Sequence, residues 1–490
     1  MADTVIENVT VLTMDPERRI LEDAWLSVSG DAIEEIGTGE PPPGATRVID
    51  GRGGVVTPGF VSTHQHVIDV LLRGGLEQDR TLFDWLINVY HAGTSAYTPE
   101  DCALAVRLNM AEAISAGITT VTDNWGINNG DDATRVDECA AATLEAYERI
   151  GVRVLFARMF SDVFPPEWER LIGTFSRKLP GKTLRVETLT EPTDRALSSI
   201  EALMRRHNGS DGDRIRVCPA PVMEQIVSEQ GLAGAHELAE RFDTPMPIHH
   251  AEAPVNARMF PESGTGMSAA EYLFALGLLD ERTLAAHAVW IGDREIRLLK
   301  RCGAKVAHCP SCNMFMGSGV LPLARLLAAG VTVGLGTDNA NAGSNVSIML
   351  TMRHAALLAK VTALDAGAVT AEKALEMATI DGARAIGMEK QVGSLEPGKK
   401  ADLVLFDTGK PHWHPRHHLP SVLVYQAHEG DVRTVMIDGR LVLDDGALSF
   451  APPDELPSLL RDAQRASRAV IERAGMDGLL QRGWQRESPV

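Results

Sequence analysis

Two histidines, His64 and His66, close an apolar run that begins Val55-Val56-Thr57-Pro58-Gly59-Phe60-Val61-Ser62-Thr63. On an extended strand, a spacing of two residues sends both imidazoles to one face. One strand end then offers two nitrogen ligands to a single metal ion, at roughly 2.0–2.1 Å each for zinc. Two half-buried strand histidines are the plain alternative, so later segments must supply further ligands. Three candidates follow: Ile248-His249-His250-Ala251-Glu252, Ala285-Ala286-His287-Ala288 and Gly336-Thr337-Asp338-Asn339. Three imidazoles and one carboxylate hold one divalent ion and leave room for water. Such an ion lowers the pKa of its bound water to about 7, so hydroxide is available at neutral pH. Asp338 can both touch the metal and take a proton, Glu252 is placed to protonate a ring nitrogen, and His287 to hold the water or polarise the attacked centre. Spacing alone leaves open whether His249 or His250 binds the ion. A two-metal site would want a bridging group such as a late lysine, and the run Ile215-Arg216-Val217-Cys218-Pro219-Ala220-Pro221 has none.

These residues need a scaffold that brings distant strand ends together. From residue 55 the chain alternates strand-like runs (55–66, 118–124, 152–160, 215–223, 246–252, 283–290, 305–310 and 331–339) with amphipathic segments (99–116, 133–150, 193–207, 231–242, 268–278, 294–301 and 321–329). Eight such units predict an α/β chain folded as a (β/α)8 TIM barrel, with its reactive groups at the C-terminal strand ends. An open doubly wound sheet would want a Gly-rich phosphate turn after its first strand, where His64-x-His66 stands instead. Residues 1–57 read as short strands, and β texture returns over 391–450, including 393–398 and 421–424, after a helix at 370–387. The two ends are expected to pair as one small β-sandwich flanking a barrel of residues 58–390, with 451–490 as a helical tail.

Composition narrows the function classes. A formal net charge of −19 disfavours nucleic acid and anionic membrane as partners. No run reaches the roughly 18 apolar residues of a membrane span. The first residues lack the basic and apolar regions of a secretory signal. Six scattered cysteines do not form a disulfide framework, so a reducing, cytoplasmic setting is expected.

Taken together, Pro58-Gly59-Phe60 through His64-x-His66, His249-x-x-Glu252, His287 and Gly336-Thr337-Asp338 resemble the mononuclear deaminase branch of the amidohydrolase superfamily, and within it the s-triazine hydrolases. The likeness runs through Leu72-Arg73-Gly74-Gly75, Asp84-Trp85-Leu86, Ala157-Arg158-Met159-Phe160 and Gly317-Ser318-Gly319. It is densest in Leu375–Arg384 and Glu396–Leu403. The resemblance implies His64, His66, His249 and Asp338 as ligands of one divalent ion, zinc expected and iron the alternative. It implies Glu252 as proton shuttle and His287 as an adjacent ligand or water-positioning group. It also implies a homodimer or larger homo-oligomer. Its spacing selects His249, leaving His250 to support or pack. After the metal aspartate, in Asn339-Ala340-Asn341-Ala342-Gly343, Asn339 resembles the halide-releasing s-triazine hydrolases, but the chain departs from the family at Ala342, where a Ser or Cys is expected. It also lacks, at Pro219-Ala220-Pro221, the histidine that nucleoside deaminases of the branch often carry.

The expected activity is hydrolytic removal of an exocyclic amine from a nitrogen heteroaromatic ring of triazine, pyrimidine or purine type. Expulsion of halide or alkylamine is the alternative, and a non-catalytic barrel scaffold is a third reading. Trp85, His91, Asn124, His308 and Asn339 are candidates for the substrate pocket, with Tyr90 and Trp125 near them. Two other clusters compete for attention. Cys309-Pro310-Ser311-Cys312 invites a zinc reading but lacks the proline before its first cysteine that deaminases of the cytidine type place there. His412, His414, His417 and His418 read as a solvated or interface loop.

Overall fold

The computed structural model describes residues 2–76, 79–127, 132–175, 188–209, 213–260, 265–343 and 345–480. The last ten residues of the expected tail, 481–490, lie outside them. The N-terminal strands are β1 (Thr4–Leu12), β2 (Ile20–Ser29), β3 (Ala32–Thr38) and β4 (Arg47–Pro58). The barrel strands are β5 (Phe60–His66), β6 (Ile118–Trp125), β7 (Arg153–Phe160), β8 (Ile215–Pro221), β9 (Met246–His250), β10 (Thr283–His287), β11 (Lys305–His308) and β12 (Val333–Leu335), with β13 (Asp338–Asn339) just beyond. The C-terminal strands are β14 (Leu403–Phe406), β15 (Val432–Ile437), β16 (Arg440–Asp444) and β17 (Ala447–Leu448).

Strands β5 to β8 pair in parallel, as do β9 to β12. The two arcs meet where Met223 bridges His249 and where β13 pairs with β5 through Asp338 opposite Gln65. This is the (β/α)8 barrel. Strands β5, β6 and β7 are buried along their whole length. That is why they read as runs of apolar and small polar residues rather than as an alternation. Helices return the chain outside: Thr98 and Asp101 close a capping box ahead of Pro99–Ser115, and Gly151, at φ 84°, ends Ala133–Ile150.

The small domain at the chain ends is one hydrogen-bonded sheet, in the order β17-β16-β15-β14-β4-β1-β2-β3, around its own apolar core of residues such as Ile6, Leu26, Val56, Leu403 and Met436. The run at 55–66 therefore serves two sheets. Val55 and Val56 pair with β14, while Phe60 onward pairs with β6. Gly59 makes the crossing possible, because a Cβ there would lie 2.1 Å from Thr119 Oγ1. A buried ion cluster pins the two domains: Arg153 of β7 bonds both oxygens of Asp402 at 3.0 Å and Asp438 Oδ1 at 2.8 Å.

Three local expectations change. Residues 421–424 are helical, in Leu419–Tyr425, with Pro420 in the first turn. Packing of the buried Val422, Leu423 and Val424 overrides their strand propensity. Residues 393–398 form turns. The helix at 370–387 is two helices, Ala371–Met377 and Ile380–Ala385, because the Ala378 carbonyl accepts the N–H of Val61 from β5 at 2.9 Å. A further helix, Ile348–Ala363, follows the last barrel strand. Among the described residues no helix is long and apolar enough to cross a membrane.

Candidate active site

Each chemically able side chain stands at the C-terminal end of a barrel strand or one turn beyond. His64 and His66 end β5, His249 lies on β9, His287 ends β10, Asp338 opens β13, and Glu252 follows β9. Their tips converge. His66 Nε2 lies 3.2 Å from His249 Nε2, and Asp338 Oδ1 lies 3.5 Å from His64 Nε2 and 3.7 Å from His66 Nε2. His287 Nε2 faces Asp338 Oδ2 at 3.7 Å and Glu252 Oε2 at 3.8 Å. All six residues are buried. The backbone is bent to achieve this: His287 (φ 68°) and Asp338 (φ 59°) adopt left-handed conformations unusual for residues with a side chain. Beneath them Gly336 lets two strands close up, since a Cβ there would sit 2.8 Å from the His64 Cβ and 3.0 Å from Cys309 Sγ.

Hydrogen bonds fix the tautomers. His66 Nδ1 donates to the Asn124 carbonyl at 2.7 Å and His249 Nδ1 to the Val222 carbonyl at 2.9 Å. Each Nε2 therefore carries a lone pair, and the two lone pairs face each other. Alone, that contact is repulsive. A cation shared by both removes the conflict, and two ligands of one tetrahedral zinc ion stand about 3.3 Å apart. Among the described residues, neither nitrogen of His64 has a hydrogen-bond partner, which suits the same cation. The donor set thus fits a divalent metal. His287 is held differently: the Asn313 amide donates to its Nδ1 at 3.1 Å. The His287 proton then sits on Nε2, the atom that faces Asp338 and Glu252.

Burial holds His64, His66 and His287 well below the ordinary histidine range, and His249 below it, so all four are neutral. Burial, with Asp338 nearby, pushes the Glu252 carboxyl well above the usual range. It therefore carries a proton to give. His250 points away from this group and pairs with the buried Glu224.

His66, His249, Glu252, His287 and Asp338 line a cavity of about 890 Å³, mouth included. Trp85, His91 and Asn339 line it. Asn124 and His308 do not. The Asn124 carbonyl orients His66, and His308 is buried in the barrel, its Nδ1 without a partner among the described residues. Sequence reasoning did not single out the Arg158–Glu191 ion pair (2.9 Å), whose residues also line the cavity, nor Asn313 and Asp69. Leu86–His91 winds as a π-helix, turning Leu86, Tyr90 and His91 into the cavity; such widened turns gather at functional sites. Cys312 also lines the cavity, and Cys309 Sγ lies within 4.8 Å of ligand atoms of His64, His287 and Asp338. Burial keeps both thiols protonated. In the small domain, His412, His428 and Asp431 approach one another, but Lys410 Nζ holds Asp431 at 3.0 Å, and a cation already answers that carboxylate.

A parallel barrel with this histidine and carboxylate set at its mouth defines a metal-dependent hydrolase. The pattern of the Amidohydrolase family matches residues 55–442, and the chain belongs to that family. It is an enzyme, a hydrolase of C–N bonds other than peptide bonds. Over 99% of both chains it is 34% identical to an S-triazine hydrolase of Gordonia rubripertincta. It is also 34% identical to a 5-methylthioadenosine/S-adenosylhomocysteine deaminase of Pelotomaculum thermopropionicum, over 96% of this chain and all of that one. An adenosine deaminase from Xanthomonas campestris with bound zinc superposes with a TM-score of 0.83 at 26% identity, covering 96% of this chain and 99% of that one. Atrazine chlorohydrolase from Arthrobacter aurescens TC1 complexed with zinc shares the fold: TM-score 0.84 at 24% identity, over 95% of this chain and 100% of that one.

Proposed function

We propose that this chain is a metal-dependent aminohydrolase that replaces an exocyclic amino group on a nitrogen heteroaromatic ring, of triazine, pyrimidine or purine type, with oxygen and releases ammonia. One observation carries the reading: the Nε2 atoms of His66 and His249 converge at 3.2 Å beside the buried Glu252, whose carboxyl is pushed well above the usual range, and all three line one cavity. His64, His66, His249 and Asp338 would hold one divalent ion, zinc by preference, and when bound it supplies Lewis acidity that makes water nucleophilic near pH 7. The remaining work falls to side chains. Glu252 delivers its proton to the ring nitrogen and so draws electrons from the carbon under attack. Asp338 accepts the proton that water loses, and the His287 Nε2–H donates to the oxygen as it adds. Asp338 passes that proton to the leaving amine, which departs as ammonia as its C–N bond breaks, and the hydroxyl proton of the adduct returns Glu252 to its acid form, leaving a carbonyl beside the ring N–H. Trp85 and Tyr90, 5.8 Å apart, form an aromatic wall for the ring.

The deaminases and the S-triazine hydrolase among the relatives support a heterocyclic substrate. The same 34% identity to an S-triazine hydrolase favours, as a second reading, loss of halide or alkylamine through the same machinery. A panel of amino- and chloro-substituted triazines, pyrimidines and purines, scored for ammonia, chloride and alkylamine, separates the two. If no ring yields ammonia, the aminohydrolase reading fails. Glu252→Gln and Asp338→Asn should each lower kcat at least about 1,000-fold without unfolding the protein; near-normal rates in either would show its role to be wrong. The reading also includes a cytoplasmic homo-oligomer. Light scattering on the purified protein tests the oligomer, and a purely monomeric mass would reject it.

A further inference from the structure

The barrel has a seam. Among the described residues β8 and β9 belong to separate sheets, so the wall is joined there by single contacts rather than by a ladder. Met223, just past β8, bridges His249. The Val222 carbonyl accepts both the His249 main-chain N–H at 3.1 Å and its Nδ1–H at 2.9 Å. The bond that turns the His249 lone pair toward His66 therefore depends on a carbonyl beyond the strand's end. The chain around it is a turn, closed by the Ile226 N–H on the Met223 carbonyl at 3.2 Å.

Glu224 lies within that turn, and His250 follows His249 on β9. Strand alternation sends His250 to the face opposite His249, where its Nδ1 donates to Glu224 Oε1 at 2.5 Å. His249 thus grips the turn from one face of the wall and His250 from the other. Glu224 is 2% exposed and His250 1%, and neither Glu224 Oε2 nor His250 Nε2 has a hydrogen-bond partner among the described residues. Such a buried polar pair is costly to desolvate, and an apolar pair of similar volume is often as stable or more so. Stability alone does not account for it. What a hydrogen bond adds is a fixed length and direction. We propose that Glu224 and His250 are positioning residues: their bond holds the turn against β9, which keeps the Val222 carbonyl on His249 Nδ1 and the His249 Nε2 aimed at the ion. The proposal rests on the reading of His249 as a metal ligand and is independent of which ring is the substrate.

The test is zinc binding to the apoprotein, read by competition with a chromophoric chelator. Glu224→Met combined with His250→Leu removes the bond and strands no polar group, so the urea midpoint should match or exceed the parent's. Zinc affinity should nevertheless fall about 10- to 100-fold, the usual effect of loosening a group that orients a ligand. Glu224→Gln, whose amide oxygen still accepts from His250 Nδ1, should stay within about threefold of the parent. Arg153→Met, which weakens the fold away from the ion, should also stay within about threefold. A stable double variant with parental affinity overturns the proposal. So does an equal loss in Arg153→Met, which would make stability the cause, or an equal loss in Glu224→Gln, which would make charge rather than contact the cause. If the double variant does not fold, Glu224→Ala is read instead, as the rate of zinc release from the holoprotein into excess chelator. Release at least about tenfold faster supports the proposal, and a parental rate overturns it. A parent that binds no zinc rejects the metal site and this inference together. Zinc binding that responds as stated, with ammonia from no ring, rejects the aminohydrolase reading alone.

Discussion

The contact between Asn313 and His287 makes a prediction that can be worked through from geometry. Asn313 sits on the short helix Pro310–Phe315 after β11, is 1% exposed, and donates its amide hydrogen to His287 Nδ1 at 3.1 Å. That bond puts the His287 proton on Nε2, facing carboxyl oxygens of Asp338 at 3.7 Å and Glu252 at 3.8 Å. Asn313→Asp replaces the donor with an acceptor of nearly the same shape. The aspartate carboxylate accepts from Nδ1, so the neutral imidazole carries its proton there instead of on Nε2. Nε2 then presents a lone pair where oxygen must be stabilised. Losing one preorganised donor at a reacting oxygen costs about 2.7–4 kcal/mol, or roughly 100- to 1,000-fold in kcat. Ammonia release, measured alongside metal content, should show that fall with KM and zinc stoichiometry nearly unchanged. Asn313→Ala, which leaves the tautomer free, should fall less. A variant with kcat within about threefold of the parent would refute the tautomer argument. A variant that held metal more tightly at full rate would show that His287 is itself a ligand.

Other consequences are simpler to state. Removing the ion with a chelator should abolish activity and lower Tm by several degrees, because the facing lone pairs of His66 and His249 lose the charge that reconciles them; zinc should restore both, and an unchanged Tm would count against the site. Arg153→Met should cost about 3–5 kcal/mol in urea unfolding, since it strands the buried carboxylate of Asp402, while Arg214 at 3.5 Å still answers Asp438; a loss under about 1 kcal/mol would show that the cluster does not hold the domains together. His308, pushed by burial down to about 3, refuses a proton that the unfolded chain accepts below about pH 6.5. Its burial is therefore free of penalty above that pH, and stability falls as the pH drops from there toward about 3, by up to about 1.4 kcal/mol per unit. Unfolding at pH 7, 6 and 5 should show a shallower acid slope for His308→Asn, and identical slopes would dispose of the idea.

Much of the site was readable as residue types in sequence order because its chemistry is local. His64-x-His66 is a two-residue spacing on a strand, and a strand's alternation alone puts both rings on one face. The barrel was legible for a similar reason: strands buried on both sides announce themselves as unbroken runs, and helices separate them at regular intervals. The family resemblance added the choice of His249 over His250, and the contacts give that choice a physical basis. His249 Nδ1 is held by the Val222 carbonyl with its Nε2 toward His66, whereas His250 turns to Glu224.

The tertiary structure decided whatever depended on contacts between distant segments. Asn124 and His308 lie on barrel strands as expected but present nothing to the cavity, because a shift of one position along a strand changes the face a side chain occupies. Residues 421–424 became helix because packing outweighs propensity. The tautomers of His66, His249 and His287 depend on carbonyls and an amide between 26 and 58 residues away in sequence. Asp69 and Asn339, separated by 270 positions, share one hydrogen bond. Ligand identity is thus written in the linear order of residue types, whereas the direction in which each ligand's proton or lone pair points exists only once the barrel has closed.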